Sequence, residues 1–467
     1  MGLMDARGLA VSTTSSEALE AYERGLDLTI RWRSGALEAL NAAVTHDPRF
    51  ALGHCTRAFT AWRMGRVETA LESHQQAMAL ADDAFDERER LHIQAVDAQS
   101  RGAGDTTRQI LEQIAERYPS DRVAVRLLGL IYIAQGTYAK GIGAARRSLE
   151  ACPDDPQFLT MRGFFLEQSG YNEEGLESSL RSLAIDPTSL YTYHAVGHAY
   201  QARGAYPQAV ETFERAASLE HYPHIVWHLA ESQAILGNER LTRDYWTEAA
   251  PPLPLYERIE LLWRLEMLRN APVDLAAWKE LAAQGERLLE HANYLTIWMH
   301  HWIGLALARA GAVDKAHRQI ERLRQLPSGR PSGHWSTLGA DMLEGELALM
   351  QGDYATAVAK MAPGIAALDE MGGGSREQKD IFRDLFLEAH RRLGHADQVI
   401  ELAQQRLLAN PHHLQSLVAL ALAYGQTGQK ALQRQAYRQL VTRADEAGAY
   451  AQAPELLDAR QALQAAI

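Results

Sequence analysis

The chain has 467 residues, 46% hydrophobic and 7% aromatic, with a net charge of −12 and only two cysteines, Cys55 and Cys152. That length supports a large core and its richness in Ala, Leu, Glu, Gln and Arg is helical, while the acidic balance gives general nucleic-acid binding no electrostatic support. No stretch approaches the roughly 20 apolar residues that span a bilayer, Met1 to Arg7 lacks a secretory pattern, and two cysteines make no disulfide framework, so the expectation is a cytoplasmic protein with neither nucleic acid nor membrane as partner.

Punctuation along the chain is regular. Pro48 precedes Gly65 by 17 residues, and the same offset recurs at Pro119 to Gly136, Pro153 to Gly170, Pro187 to Gly204 and Pro411 to Gly428. Pro119, Pro153 and Pro187 are themselves 34 residues apart, the period of a stacked helix-turn-helix repeat. Between these landmarks, Gly102, Gly237, Gly311 and Gly352 take the same phase, with Ala95, Ala230, Gly304 and Gly345 seven residues earlier. Three segments break the rhythm: Pro251 to Pro254, Pro327 to Gly333, and Gly372 to Ser375, the last preceding an amphipathic stretch from Asp380 to Leu393. The first break divides the chain into an N-terminal array, 1–250, and a C-terminal array, 251–467, which together form one solenoid. Tyr450 to Ala465 reads as a polar-faced capping helix over the last apolar face.

With the glycine placed at position 15 of the repeat, the third unit has Tyr193 at 4, Gly197 at 8, Tyr200 at 11, Ala209 at 20, Phe213 at 24 and Ala216 at 27. Small residues at 8 and 20 let two helices approach closely, and bulky ones at 4, 11 and 24 fill the space between units. Proline at 32 ends the second helix. The pattern resembles the tetratricopeptide signature, and the expected fold is all-α: a tetratricopeptide-type solenoid, a right-handed superhelix of about ten to twelve helix pairs.

In tetratricopeptide superhelices the first helix of each unit lines the concave surface through positions 2, 5, 9 and 12. On that resemblance, position 5 holds His92, Arg126, Thr160, His194, Trp227 and His301; position 9 adds Phe164, His198 and Glu231; position 2 adds His224 and Trp298. His194 and His198 are four residues apart, as are His224 and His228, so each pair shares one helix face and has the spacing of a metal-binding pair. Neither pair carries the Glu of His-Glu-x-x-His. The same residues also suit packing between helices, with imidazoles donating to backbone carbonyls, or a polar pocket. Phosphate-binding loops, nucleophile elbows and Cys-x-x-Cys pairs are missing from the sequence.

Segments from one end of the chain to the other resemble the tetratricopeptide repeat protein 38 family. They are Gly8 to Ser15, Asp47-Pro48-Arg49-Phe50 with Gly53-His54, Arg88 to His92, His194 to His198, His224 with Trp227-His228, and Gly373-Gly374-Ser375 with Gln378 and Asp380-Ile381-Phe382. The resemblance marks the histidines of the inner face and implies a shared pocket. One departure is Met299, which stands two residues before His301 where family members tend to carry Asp.

The leading expectation is therefore a protein that binds a peptide, a protein partner or a small ligand in a groove lined by His92, Arg126, His194, His198, His224, Trp227, Glu231, Trp298 and His301. The alternative is an enzyme with a metal, haem or acid/base site built from His194, His198, His224 and His228. Capture of a peptide carboxylate by Lys and Asn at positions 5 and 9 is disfavoured, since no unit supplies that pair.

Overall fold

A computed structural model describes residues 3–81, 86–236, 253–269, 274–291, 296–326, 335–446 and 454–464. Twenty-four α-helices occupy most of these residues. Apart from an isolated bridge between Met4 and Ala10, no β-structure occurs among them. Gly237, Pro251-Pro252, the segment Pro327 to Gly333, and residues 450–453 and 465 of the expected cap lie outside the described residues.

The chain divides into two compact units, residues 1–132 with 137–195, and residues 133–136 with 196–467. The first contains α1 (Ser16–Arg31), α2 (Ala36–His46), α3 (Ala51–Arg63), α4 (Val67–Ala79), α5 (Glu87–Ser100), α6 (Gly104–Arg117), α7 (Arg122–Ala134, all but its end), α8 (Tyr138–Ala151), α9 (Pro156–Gln168), α10 (Asn172–Ile185) and the first half of α11 (Leu190–Ala202). The second contains the rest of α11, α12 (Tyr206–Leu219), α13 (Pro223–Ile235), α14 (Leu255–Arg269), α15 (Leu275–His291), α16 (Ile297–Arg309), α17 (Val313–Arg324), α18 (Ser336–Gln351), α19 (Tyr354–Ala366), α20 (Arg376–Leu393), α21 (Ala396–Ala409), α22 (Leu414–Gln426), α23 (Lys430–Glu446) and α24 (Pro454–Gln464).

The helix punctuation follows from the repeat. Gly65, Gly102, Gly136, Gly170, Gly204, Gly311, Gly352 and Gly428 all adopt φ between +66° and +88°, the left-handed conformation that ends a helix and that side chains with a Cβ resist. The small residue at position 8 is equally physical. A Cβ on Gly197 would lie 2.2 Å from the Phe213 ring, and one on Gly163 would lie 2.1 Å from Ser179 Oγ. The two helices of each pair meet because nothing stands between them.

α20 begins at Arg376, four residues before the expected amphipathic stretch, because Ser375 is its N-cap. Ser375 Oγ accepts the Gln378 N–H and Gln378 Oε1 accepts the Ser375 N–H at 2.9 Å, a capping box. The two glycines ahead of it are required by close approach: a Cβ on Gly373 would lie 2.7 Å from Thr296 Oγ1, and one on Gly374 would lie 2.9 Å from Trp298 Nε1. In the second unit Trp263, Trp278, Trp298, Trp302 and Trp335 are buried in one apolar cluster. Leu456 and Ala459 of α24 cover Leu414, Leu417, Leu440 and Ala444, the capping contact expected at the end of an array.

Candidate functional site: a buried histidine–glutamate cluster

α11, α13, α14 and α20 each bring polar side chains to one region of the second unit. His198 Nδ1 is 2.7 Å from Glu377 Oε2, His224 Nδ1 is 2.5 Å from Glu257 Oε1, and His228 Nδ1 is 3.6 Å from Glu231 Oε2. Arg264 reaches Glu231 at 2.9 Å and Glu260 at 3.0 Å, and it donates to the backbone oxygen of Glu377 at 2.7 Å. Gln201 donates to Glu231 at 3.1 Å and to Ser232 at 3.0 Å. The imidazoles are neighbours as well: the ring of His228 is centred 4.4 Å from that of His198 and 4.7 Å from that of His224. The Phe213 ring stacks against His228 at 5.1 Å. His198 and His228 are fully buried, whereas the side chain of His224 is 24% exposed and marks the edge of the cluster.

Each histidine thus has its own glutamate, and Arg264 lies between two more oxygens. Four carboxylates face a single guanidinium and three imidazoles, in a place where an unpaired charge is expensive. Burial raises the Glu260 carboxyl well above the usual carboxylate range against the pull of Arg264, and it raises Glu231 in the same sense. Burial opposes the charge on Arg264, but Glu231 and Glu260 outweigh it and hold the guanidinium protonated. The two glutamates share one arginine, and burial disfavours the charged form of both. Among the described residues, Glu257 Oε2 and Glu260 Oε2 are buried without a hydrogen-bond partner, at a typical cost of about 1–3 kcal/mol each. The cluster is rich in acceptors and short of donors.

The other expected site residues fall elsewhere. His92, in the first unit, donates through Nε2 at 2.9 Å to Asp121 Oδ2, the oxygen that also takes Arg88 at 3.0 Å. Arg126 lies over the Tyr191 ring at 4.4 Å and the Trp32 ring at 5.7 Å, and His194 packs 4.8 Å from Trp32 and 5.7 Å from Phe164. Trp298 and His301 are buried in the second unit. His301 Nε2 is 3.0 Å from Glu346 Oε1, so α18 supplies the carboxylate that Met299 does not. Trp227 is fully buried, with its indole N–H on the Glu257 backbone oxygen at 3.1 Å. Of the four histidines with metal-like spacing, His198, His224 and His228 belong to the second unit and His194 to the first.

Sequence reasoning missed the partners. Gln201 and Glu346 occupy positions 12 and 9 of their repeats, so the same phase would have found them. Glu377 sits inside a Ser-x-x-Gln capping box, a readable signal. Glu257, Glu260 and Arg264 follow a break in the repeat, where the phase is lost. A further cation-like group, Asp380, Asp384 and His413, has ligand atoms within 4.8 Å of one another, and the guanidinium of Arg406 lies there, 2.5 Å from Asp384 and 2.6 Å from Asp380.

Comparison with known proteins places the chain in a class. A family profile described as tetratricopeptide repeat matches residues 51–88 and 192–221, and a second of the same description matches 414–446. These three segments are therefore similar to tetratricopeptide repeats, in keeping with the helical-repeat fold. The small glutamine-rich tetratricopeptide repeat-containing protein 2 of Mycosarcoma maydis is 25% identical over 83 residues, covering 18% of this chain and 24% of that protein, so the match spans about a quarter of the relative. Among solved structures, the human IFIT1 dimer with PPP-AAAA is 12% identical with a TM-score of 0.46, over 92% of this chain and 96% of that one. Pseudomonas aeruginosa pilF is 18% identical with a TM-score of 0.34, over 44% and 93%. A tetratricopeptide repeat protein from Parabacteroides merdae is 14% identical with a TM-score of 0.33, over 65% and 98%. No helix among the described residues is long and apolar enough to cross a membrane.

Proposed function

We propose that this protein binds a small cationic or hydrogen-donating ligand at the histidine–glutamate cluster of its second unit, on a tetratricopeptide scaffold. The observation that carries this reading is the pair of buried acceptors, Glu257 Oε2 and Glu260 Oε2, in a cluster that holds two other carboxylates, Glu231 and Glu377, and one arginine, Arg264. A ligand with N–H groups or a positive charge satisfies both oxygens and relieves the excess of negative charge. An extended peptide suits the cluster less well, because His198, His228, Glu231, Glu257 and Glu260 are all buried and His224 is the most exposed of the described side chains of the cluster. The resemblance to the tetratricopeptide repeat protein 38 family supports the same reading, since the residues that carry it include His198, His224 and His228, and Ser375 and Gln378, whose capping box holds Glu377 beside His198.

Titration of tag-free protein with putrescine and with Zn²⁺, followed by calorimetry, tests the proposal. Saturable binding of one of them, lost in Glu257→Gln/Glu260→Gln, is expected. A folded protein that takes up neither contradicts it.

A second reading, an acid/base or metal-dependent enzyme, is favoured by one observation: Glu231 lies on the same helix as His224 and His228 and shares Arg264 with Glu260 of α14. Stoichiometric metal in the purified protein, or a Soret band in its absorption spectrum, would favour this reading over simple ligand binding.

A further inference from the structure

The turn that ends α20 carries two histidines where the repeat needs none. Gly394 adopts φ +80° and its N–H donates to Arg391 O, while the next residue, His395, donates its N–H to His390 O at 3.0 Å. These two bonds make a Schellman motif, which sets the side chains of residues 390 and 395 against each other across the glycine. The pair that meets there is ordinarily apolar. The same long bond, at 2.8–2.9 Å, closes the turns at Gly65, Gly102, Gly136, Gly170, Gly204, Gly311, Gly352 and Gly428, where its acceptor is always Ala, Leu or Tyr and its donor is never histidine. The chain therefore builds this turn repeatedly without an imidazole, and the fold does not explain two of them at Gly394.

The two rings face each other through the same atom. His390 Nδ1 and His395 Nδ1 lie 3.3 Å apart. That is longer than the roughly 2.9–3.0 Å usual for an N–H donor, and it matches the edge of a metal site: two nitrogens bound tetrahedrally to one Zn²⁺ at about 2.0–2.1 Å are about 3.3–3.4 Å from each other. As ligands, both imidazoles present a bare Nδ1 and keep the proton on Nε2. Phe386, one turn earlier, packs edge-on against the His390 ring at 4.7 Å and supports its orientation. His390 is buried and His395 exposed, so the pair opens to solvent on one side. The setting tolerates a cation. The carbonyl end of the 18-residue α20 is the negative end of its dipole, and the neighbouring Arg391 and Arg392 are both tied to Glu388, at 2.5 and 2.7 Å.

We propose that His390 and His395 form a binding site for a late first-row divalent metal ion, with Zn²⁺ the best match to their spacing and water in the remaining positions. Imidazole nitrogen is a good ligand for this class of ion. Because His395 is also the N-cap residue of α21, the ion ties the last turn of α20 to the start of the next helix. The site shares no residue with the histidine–glutamate cluster and does not rest on the function proposed for it.

Calorimetric titration of tag-free, full-length protein with Zn²⁺ tests this, with His390→Tyr/His395→Ala for comparison because Tyr200 and Ala205 hold the same two places at Gly204. Wild type is expected to take up one equivalent more than this variant, and His395→Ala alone is expected to weaken that equivalent at least tenfold. In wild type enriched with ¹⁵N-histidine, the Nδ1 signals of both residues are expected to shift together as the equivalent binds. A folded double variant with the stoichiometry and affinity of wild type overturns the proposal. Zn²⁺ uptake that leaves both Nδ1 signals in place overturns it too, and this second measurement decides alone if circular dichroism shows the double variant to be unfolded. Uptake at the histidine–glutamate cluster is read separately, since Glu257→Gln/Glu260→Gln removes it and leaves the His390–His395 equivalent.

Discussion

Glu377 Oε2 lies 2.7 Å from His198 Nδ1, across 179 residues of sequence. His198 is held by the repeat, on a first helix ending at Gly204, while Glu377 is held by the capping box that starts α20. A periodic and an aperiodic feature therefore meet in one hydrogen-bonded contact.

Glu377→Ala is expected to destabilise the second unit by about 1–3 kcal/mol, the usual cost of removing one partner of a buried polar group. Glu377→Gln keeps a hydrogen bond and is expected to lose about 1 kcal/mol. Urea unfolding followed by circular dichroism measures both, and equal effects would mean that the charge on Glu377 contributes nothing.

The Glu231–Glu260 pair predicts a pH dependence. Burial raises both carboxyls above their ordinary values. A group whose pKa is higher in the folded state binds its proton more tightly there, so its contribution is full below the unfolded value of about 4.3 and is lost as pH rises through the folded pKa. Wild-type stability should therefore decline as pH rises above about 4.3. Glu260→Gln, which is neutral at every pH, should show a flatter profile and should be the more stable protein on the alkaline side. Melting temperatures across the pH range check this, and parallel profiles would refute it.

Gly197→Ala tests the packing of a helix pair. Its Cβ would lie 2.2 Å from the Phe213 ring, so α11 and α12 must separate or Phe213 must leave its rotamer, at a cost of about 1–3 kcal/mol. Phe213→Leu in the same chain should recover part of that loss. Lack of recovery in the double variant would place the strain elsewhere.

Much of the fold was legible because the repeat imposes the same backbone demand every 34 residues. Glycine is needed where the chain turns left-handed, and a small residue is needed where two helices touch; both follow from sterics within one repeat, so both can be counted along the chain. The Gly373-Gly374-Ser375 segment shows the limit. Its composition marks a breaker, yet its tight fit under Thr296 and Trp298 and its role in aiming Glu377 depend on groups about 75 residues or more away.

The candidate site divides in the same way. The phase placed His198, His224, His228 and Glu231 on first helices, and in the second unit these residues do converge. It also grouped them with His92, Arg126, His194, Trp298 and His301, which are packed in other surroundings: His92 against Asp121, Arg126 and His194 among Trp32, Tyr191 and Phe164, and His301 against Glu346. Periodicity states which face of a helix a residue occupies, because that depends on 3.6 residues per turn alone. Which carboxylate lies opposite that face depends on another helix, brought there by folding. The sequence by itself determined the helical repeat and which helix face these histidines occupy; only the tertiary structure decided that His198, His224 and His228 are each met by a glutamate and that buried carboxylates gather beside Arg264.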